Sequence, residues 1–121
     1  MSTDTTDPLN TVTLVGRVSA APEARDLPSG DRLVTFRVVV ERQPARDGTR
    51  RQVDVIDVAC WSKRSQRSAN RLTTDDVVRV EGALRRRFFA AGGARTSRYE
   101  VEADRVARVS RARAASSASG G

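Results

Sequence analysis

The sequence predicts an all-β domain, a barrel of five strands with one short helix between the third and fourth strands. Apolar and polar residues alternate through the middle of the chain, which is the period of a half-buried strand. Clusters of Gly and Pro divide that middle into short segments, and a single segment has helical spacing. With 121 residues the chain is long enough for one domain and too short for two.

The first half of the barrel comes from two predicted strands before a hairpin arm. The first covers Thr11–Val18, with Arg17 on the outward face, and the segment after it, with Pro22 and Pro28–Asp31, is expected to form a turn. The second covers Leu33–Val40, with Arg37 outward. An Asp-Gly pair at 47–48 then suits the tip of a hairpin.

The second half contains the helix and three further strands. The third strand is predicted over Val53–Trp61, the helix over Lys63–Leu72, and the fourth strand from Asp75 to Phe89. A glycine-rich loop at 90–94 leads to a fifth strand over Arg98–Val109. This order matches the OB barrel, whereas a small β-sandwich, the alternative, leaves the helix position unexplained. We expect the domain to span residues 10–109, with disordered segments at 1–9 and 110–121.

The net charge of +7 is concentrated in the predicted barrel. Two aspartates before residue 10 cancel two arginines after residue 109. Lys63 is the one lysine, so the excess is arginine, which suits bidentate contact with phosphate. A basic domain indicates a polyanionic partner, with nucleic acid first among the candidates. A solvated surface, or the arginine bias of a GC-rich genome, is the alternative explanation.

Composition argues against catalysis. The chain has no His and one Cys, Cys60, which excludes Cys-His and Ser-His nucleophiles, the common zinc sites and an internal disulfide. No glycine-rich phosphate loop occurs. We therefore expect no enzyme activity, no metal and no cofactor, and we interpret Cys60 as a small buried residue. No apolar run could span a membrane and no signal peptide is recognisable, so we expect a cytoplasmic protein without a membrane partner.

The most informative segment joins three arginines, 85–87, to Phe88 and Phe89. Aromatic residues are scarce, with Phe 3, Trp 1 and Tyr 1 in the whole chain, and two stand beside the densest cationic cluster. Guanidinium groups pair with phosphate and aromatic rings stack on bases. An ordinary strand with a charged face is the alternative. Because neighbouring residues alternate, one phenylalanine is expected to point inward, and at least one of the arginines is expected not to contact the ligand. Tyr99 is expected in the core or at its rim.

From residue 10 to 109 the chain resembles the bacterial single-stranded DNA-binding protein family. Four motifs carry the resemblance, each weak alone but specific in order and spacing: NTVTLVGR at 10–17, PEAR at 22–25, the strand at 55–61 that ends in Trp, and VRVEGALRRRFF at 78–89. The resemblance implies an OB fold, usually a homotetramer, that wraps single-stranded DNA with little sequence preference in replication, recombination or repair. It also implies association with the nucleoid.

The resemblance extends to individual residues. Trp61 and Phe89 match base-stacking aromatics of the family, and arginines of the matching strands and of the arm before Val53 lie where phosphate contacts are expected. The residues predicted to contact nucleic acid are Trp61, Phe88, Phe89, Arg17, Arg37, Arg42, Arg50, Arg51, Arg85, Arg86, Arg87 and Arg98.

Three departures from the family pattern qualify this expectation. Val55 and Pro44 stand where members often have an aromatic residue, so the groove is expected to have fewer stacking positions. The end of the chain lacks the acidic tip with a terminal Pro-Phe that recruits other proteins, which fits a specialised paralogue. An OB assembly module of a primosome-like or recombination complex stays open as a second function, and an RNA-binding OB domain as a third.

Overall fold

The computed structural model describes residues 6–43 and 52–111, and these form a closed barrel with strand order β1-β2-β3-β5-β4. The elements are β1 Val12–Asp26, β2 Arg32–Glu41, β3 Val53–Cys60, α1 Lys63–Ala69, β4 Val77–Ala91 and β5 Ala94–Ser110. Neighbouring strands are antiparallel except β3 and β5, whose parallel contact at Val58 and Val101 closes the barrel. The predicted fold class is confirmed, including the place of the single helix in the described chain.

The barrel interior is filled by the inward residues that alternation predicts. Val18, Val38, Val58, Val78 and Val80 are fully buried. The helix closes one end, because Ala69 and the following Leu72 join the same apolar cluster. Branched side chains of this kind suit a small barrel, whose interior is just wide enough for side chains to fill it.

The expectation of a turn at Pro22 is wrong, because β1 continues through Pro22 to Asp26. The pairing of β1 with β2 shifts between Val18 and Ala20 and again between Ala20 and Glu23. Proline lacks a backbone N–H and is tolerated where a ladder is irregular. The strand therefore bends at these irregularities and continues instead of ending.

A buried carboxylate joins the loop before β4 to β5. The Asp76 side chain is 1% exposed and accepts hydrogen bonds from the Thr73 backbone N–H at 2.8 Å and from Arg108 Nε at 3.1 Å. Arg108 also donates to the carbonyl of Arg71. This one ion pair fixes the loop between α1 and β4 against the last strand. The fourth strand was predicted to begin at Asp75, which is two residues too early, because β4 begins at Val77.

The last two strands are longer than the barrel that they help to close. Beyond the pair Leu84 and Val101, β4 and β5 continue to pair with each other as far as Ala91 and Ala94. The turn consists of Gly92 and Gly93, both with positive φ, as in a two-residue type I′ hairpin. Strand β5 thus starts before the predicted Arg98.

The point at which the hairpin leaves the barrel is marked by Asn10. Its side-chain amide donates to the Leu84 carbonyl at 2.8 Å and its side-chain oxygen accepts from the Leu84 N–H at 2.9 Å.

Within the described residues, no helix is long and apolar enough to cross a membrane. The predicted Asp-Gly hairpin tip at 47–48 and most of both terminal segments lie outside the described residues.

Candidate nucleic-acid interface

Residues 85–100 of the β4–β5 hairpin form a two-stranded ribbon that extends past the barrel. Side chains alternate along each strand, so the cross-strand register sorts them into two faces. We call the face that carries Arg85, Arg87, Phe89, Arg98 and Glu100 the Trp61 face, because Arg87 lies over Trp61. The far face carries Arg86, Phe88, Arg95, Ser97 and Tyr99.

Trp61 is held in place from the helix side. Ser62 caps α1 by accepting a hydrogen bond from the Ser65 backbone N–H at 3.0 Å. The buried Gln66 amide donates to the carbonyls of Arg32, Cys60 and Trp61, at 2.6, 3.0 and 3.3 Å. A buried side-chain amide with several carbonyl partners fixes the backbone at the end of β3.

Alternation along Val53–Trp61 puts Ala59 on the same side of the strand as Trp61, yet Ala59 is fully buried. Trp61 itself is half-buried, and the guanidinium carbon of Arg87 lies 4.9 Å from its ring centroid. One part of the indole is thus already packed, and the remainder is open to solvent.

The Trp61 face combines rings and charge. Phe89 is 42% exposed, and Arg98 lies over it at 5.6 Å. Arg87 Nη1 contacts Glu100 at 3.2 Å, and Arg85 Nε contacts Glu102 at 2.7 Å. Both ion pairs are partly open to solvent, so each is worth only about 0–1 kcal/mol. Phosphate can therefore compete for these arginines at low cost.

The far face has a similar composition and no acidic residue. Phe88 is 54% exposed and Tyr99 is 57% exposed. Arg86 lies over both rings, at 4.9 and 5.5 Å, and Arg95 also lies over Phe88, at 5.1 Å. The expectation that one of Phe88 and Phe89 points inward is wrong, because both lie beyond the barrel. Tyr99 is likewise not a core residue.

Arg17 and Arg37, predicted on the barrel strands, and Arg42, predicted in the hairpin arm, lie off the ribbon, and each pairs with an aspartate. Arg17 contacts Asp75 at 3.2 Å, Arg37 contacts Asp57 at 2.9 Å, and Arg42 contacts Asp54 at 2.8 Å. The hydrogen bond and the charge of Asp54 raise the pKa of Arg42. Asp54 is the second residue of β3, the strand that ends before Trp61, which puts this pair roughly 20 Å from the indole. Arg50 and Arg51 lie outside the described residues.

A basic cavity beside Trp61 was not predicted from the sequence. It has a volume of about 690 Å³ and is lined by Gly30, Asp31, Arg32, Trp61, Lys63, Gln66, Arg67 and Asn70. Lys63, Gln66, Arg67 and Asn70 follow the spacing of one helix face, and this signal in the sequence could have identified the cationic side of α1. The cavity extends the positive surface from the ribbon past the indole.

Cys60 lies directly behind Trp61 but inside the barrel. Its side chain is fully buried, and burial raises the pKa of the thiol to about 11 although a hydrogen bond with Ser65 acts in the opposite direction. A thiol of this kind is protonated at neutral pH and therefore a poor nucleophile. Among the described residues, no group of three or more His, Cys, Asp or Glu side chains is placed to hold a metal ion.

The closed five-stranded barrel with a helix between β3 and β4 is an OB fold, a class whose members bind oligonucleotides and oligosaccharides. Residues 9–109 match the model of the Single-strand binding protein family. The chain belongs to this family.

Two relatives are similar over most of the chain. The single-stranded DNA-binding protein of Clostridium tetani is 32% identical over 100 residues, covering 81% of this chain and 68% of that protein. Single-stranded DNA-binding protein A of Bacillus subtilis is 32% identical over 114 residues, covering 93% of this chain and 66% of that protein. The chain thus spans about two thirds of the length of these relatives.

Solved structures share the fold. The SSB of Plasmodium falciparum in complex with ssDNA matches with a TM-score of 0.69 and 19% identity, over 83% of this chain and 92% of that one. The small single-stranded DNA-binding protein of Streptomyces coelicolor matches with a TM-score of 0.62 and 23% identity, over 81% and 92%.

Proposed function

We propose that the chain binds and protects single-stranded DNA without strong sequence preference, by base stacking on Trp61 and Phe89 and by arginine–phosphate contacts. The observation that carries the proposal is the Trp61 face, where two accessible rings stand among arginines. Every base has a π-face, so stacking tolerates any sequence, and charge attracts the backbone of any strand. Replication, recombination and repair are the processes that expose such strands.

The cation–π pairs suggest how the free site is kept ready. Arg87 and Arg98 lie over Trp61 and Phe89, respectively, and both guanidinium groups are within reach of a strand that passes along the face. When phosphate binds a guanidinium, the ring beneath it becomes accessible to a base. Exposed cation–π pairs are worth about 0.5–1 kcal/mol, which is less than the about 1–3 kcal/mol of a base stack.

We further propose a homotetramer in the cytoplasm, bound to nucleoid DNA, that needs no cofactor and catalyses no reaction. Support for assembly comes from apolar side chains on the outer barrel surface, where Val15, Val53 and Val55 are 48%, 45% and 57% exposed. The same surface keeps open the second function, an assembly module of a larger DNA-processing complex. We also propose that residues 10–109 suffice for DNA binding, so that removing 110–121 lowers affinity only slightly, chiefly at low salt.

Trp61 fluorescence tests the proposed function directly, because Trp61 is the one tryptophan in the chain. Adding oligo-dT is expected to quench it, and log K is expected to fall linearly with log salt, with a slope of about −0.7 per phosphate contacted. Trp61→Ala and Phe89→Ala are each expected to weaken binding by about 1–3 kcal/mol. Because Trp61→Ala has no tryptophan signal, its binding is measured by the anisotropy of a labelled oligonucleotide. The control is Arg79→Ala, because Arg79 lies off the ribbon in a half-exposed pair with Glu81 and is not among the residues predicted to contact DNA. A flat salt response, or equal affinity for duplex DNA, contradicts the proposal.

A further inference from the structure

The ribbon has a second face that the Trp61 site does not use. A strand that belongs to a closed barrel has one face inside and one outside, but within the described part of the chain residues 85–100 pair only with each other and therefore expose both faces. Phe88 and Phe89 are consecutive, point to opposite faces, and are both accessible. Nothing in the packing of the described chain requires an aromatic residue at position 88 or 99.

The positive charge of the far face is also less neutralised by carboxylates than that of the Trp61 face. Residues 85–100 contain five arginines and one glutamate, a net +4, and the glutamate is on the Trp61 face. Among the described residues, no carboxylate lies within salt-bridge distance of Arg86 or Arg95; the partners of Arg86 are the Ser97 hydroxyl and two rings. Two cations and two accessible rings within one small patch match the two chemical parts of a nucleotide, its phosphate and its base.

The two faces meet at the tip of the hairpin. A hollow of about 470 Å³ there is lined by Phe88, Phe89, Gly93, Ala94 and Arg95, so residues of both faces border it. The two glycines of the turn add no side chain that would block a strand crossing from one face to the other.

We propose that the far face, formed by Arg86, Phe88, Arg95 and Tyr99, is a second contact site for single-stranded DNA, so that a long strand folds over the hairpin tip and touches both faces of the ribbon. This inference rests on the proposed function of the Trp61 face. Charge complementarity favours a nucleic-acid strand over a protein partner. A short strand fills the Trp61 face alone, and a long one continues to the far face.

The neighbouring variants Phe88→Ala and Phe89→Ala form a matched pair, since each removes one phenyl group from one face of the same ribbon. Binding is measured with oligo-dT of about eight nucleotides, within the 4–16 that one OB fold covers, and with long poly(dT). Phe89→Ala is expected to weaken both ligands about 5- to 100-fold. Phe88→Ala is expected to leave the short ligand within about twofold and to weaken poly(dT) about 5-fold or more.

Two further readouts separate a DNA contact from a structural role. Phe88→Ala is expected to reduce the number of nucleotides covered per chain, measured by titrating poly(dT) to full Trp61 quenching. Arg95→Gln, which leaves the rings in place, is expected to lower the salt slope for poly(dT) by about 0.7 and to leave that for the short ligand unchanged.

Three results overturn the second site. The first is that Phe88→Ala and Arg95→Gln bind poly(dT) as the parent chain does. The second is that both ligands weaken equally in Phe88→Ala, which makes Phe88 part of a single site. The third is that Phe88→Ala lowers the mass of the free protein in sedimentation, which makes the far face a contact between copies. The proposed function of the Trp61 face has a separate test. It is wrong if Phe89→Ala leaves the affinity for the short oligo-dT unchanged.

Discussion

Strands β4 and β5 have two halves with opposite properties. In the barrel half, Val80 and Val106 face each other across the two strands and are buried, as is Val101 nearby. In the ribbon half, Arg86 faces Tyr99 and both are exposed. The alternation of side chains is the same in both halves. What differs is whether other strands cover one of the faces.

The comparison separates two roles within one hairpin. The barrel half removes branched apolar side chains from water, which provides the main favourable contribution to folding. The ribbon half leaves three aromatic rings 42–57% exposed, each with an arginine over it, and contributes little to the stability of the barrel. Within these two strands, the residues that stabilise the domain and the residues that we propose to bind DNA therefore occupy different halves.

The largest effect is expected from the buried ion pair on the barrel side. Arg108→Met removes the cation that pairs with the buried Asp76 carboxylate, and removing one partner of a buried pair costs about 3–5 kcal/mol of unfolding free energy. Urea denaturation measures it. Arg79→Met, which breaks a half-exposed pair with Glu81, is the control and is expected to change stability by less than about 1 kcal/mol. Equal effects of the two variants would show that the loop before β4 is not fixed by Arg108.

Alkaline pH is expected to weaken the barrel through Cys60. The folded state raises the pKa of the thiol from 9.0 to about 11, so the folded state holds this proton more tightly than the unfolded state does. This difference in pKa adds about 2–3 kcal/mol to the unfolding free energy below pH 9, and the contribution is lost as the pH rises to 11. Unfolding free energies at pH 8 and pH 11 are compared for the parent chain and Cys60→Ala. The parent chain is expected to lose more unfolding free energy between pH 8 and pH 11 than Cys60→Ala does. Equal losses in the two chains would contradict the assignment of the effect to Cys60.

A smaller effect is expected where the two strands approach most closely. A Cβ atom placed on Gly82 would lie 2.0 Å from the Glu102 carbonyl oxygen, so the backbone must shift. Gly82→Ala is therefore expected to cost about 1–3 kcal/mol in denaturant unfolding. Ala83→Gly, at the next position of the strand, is a control for the altered chain entropy and is expected to cost about 0.5–1 kcal/mol. A Gly82→Ala chain as stable as the parent would mean that β4 and β5 are less tightly paired at Gly82, where their register shifts.

Much of the fold follows from the sequence because local pattern and global fold agree. Alternation identified Val78 and Val80 as inward residues, and the helix position between the third and fourth strands selected the barrel over a sandwich. Period-two alternation, however, carries no information on where neighbouring strands stop. This is why one of Phe88 and Phe89 was expected inside, and why the ends of β1 and β5 were misplaced.

The site was predictable only in part, for a related reason. Trp61 was found at a strand end, but the acids that pair with Arg17, Arg37 and Arg42 are 58, 20 and 12 residues away in sequence and meet them only in the fold. The contacts of Arg95 and Tyr99 could have been derived. A two-residue Gly-Gly turn fixes the hairpin register, which places Tyr99 opposite Arg86.

The division of roles between the two halves of β4 and β5 is tested most directly by measuring stability and DNA affinity on the same two variants, Val80→Ala and Phe89→Ala. Val80 is fully buried, so its truncation is expected to cost about 2 kcal/mol of unfolding free energy and to leave the oligo-dT affinity of the folded protein unchanged. Phe89→Ala is expected to change stability by no more than about 0.5 kcal/mol and to weaken oligo-dT binding by about 1–3 kcal/mol. If Phe89→Ala destabilises the fold as much as Val80→Ala does, and the folded fraction still binds DNA with parent affinity, the ribbon is a packing element and the account is wrong.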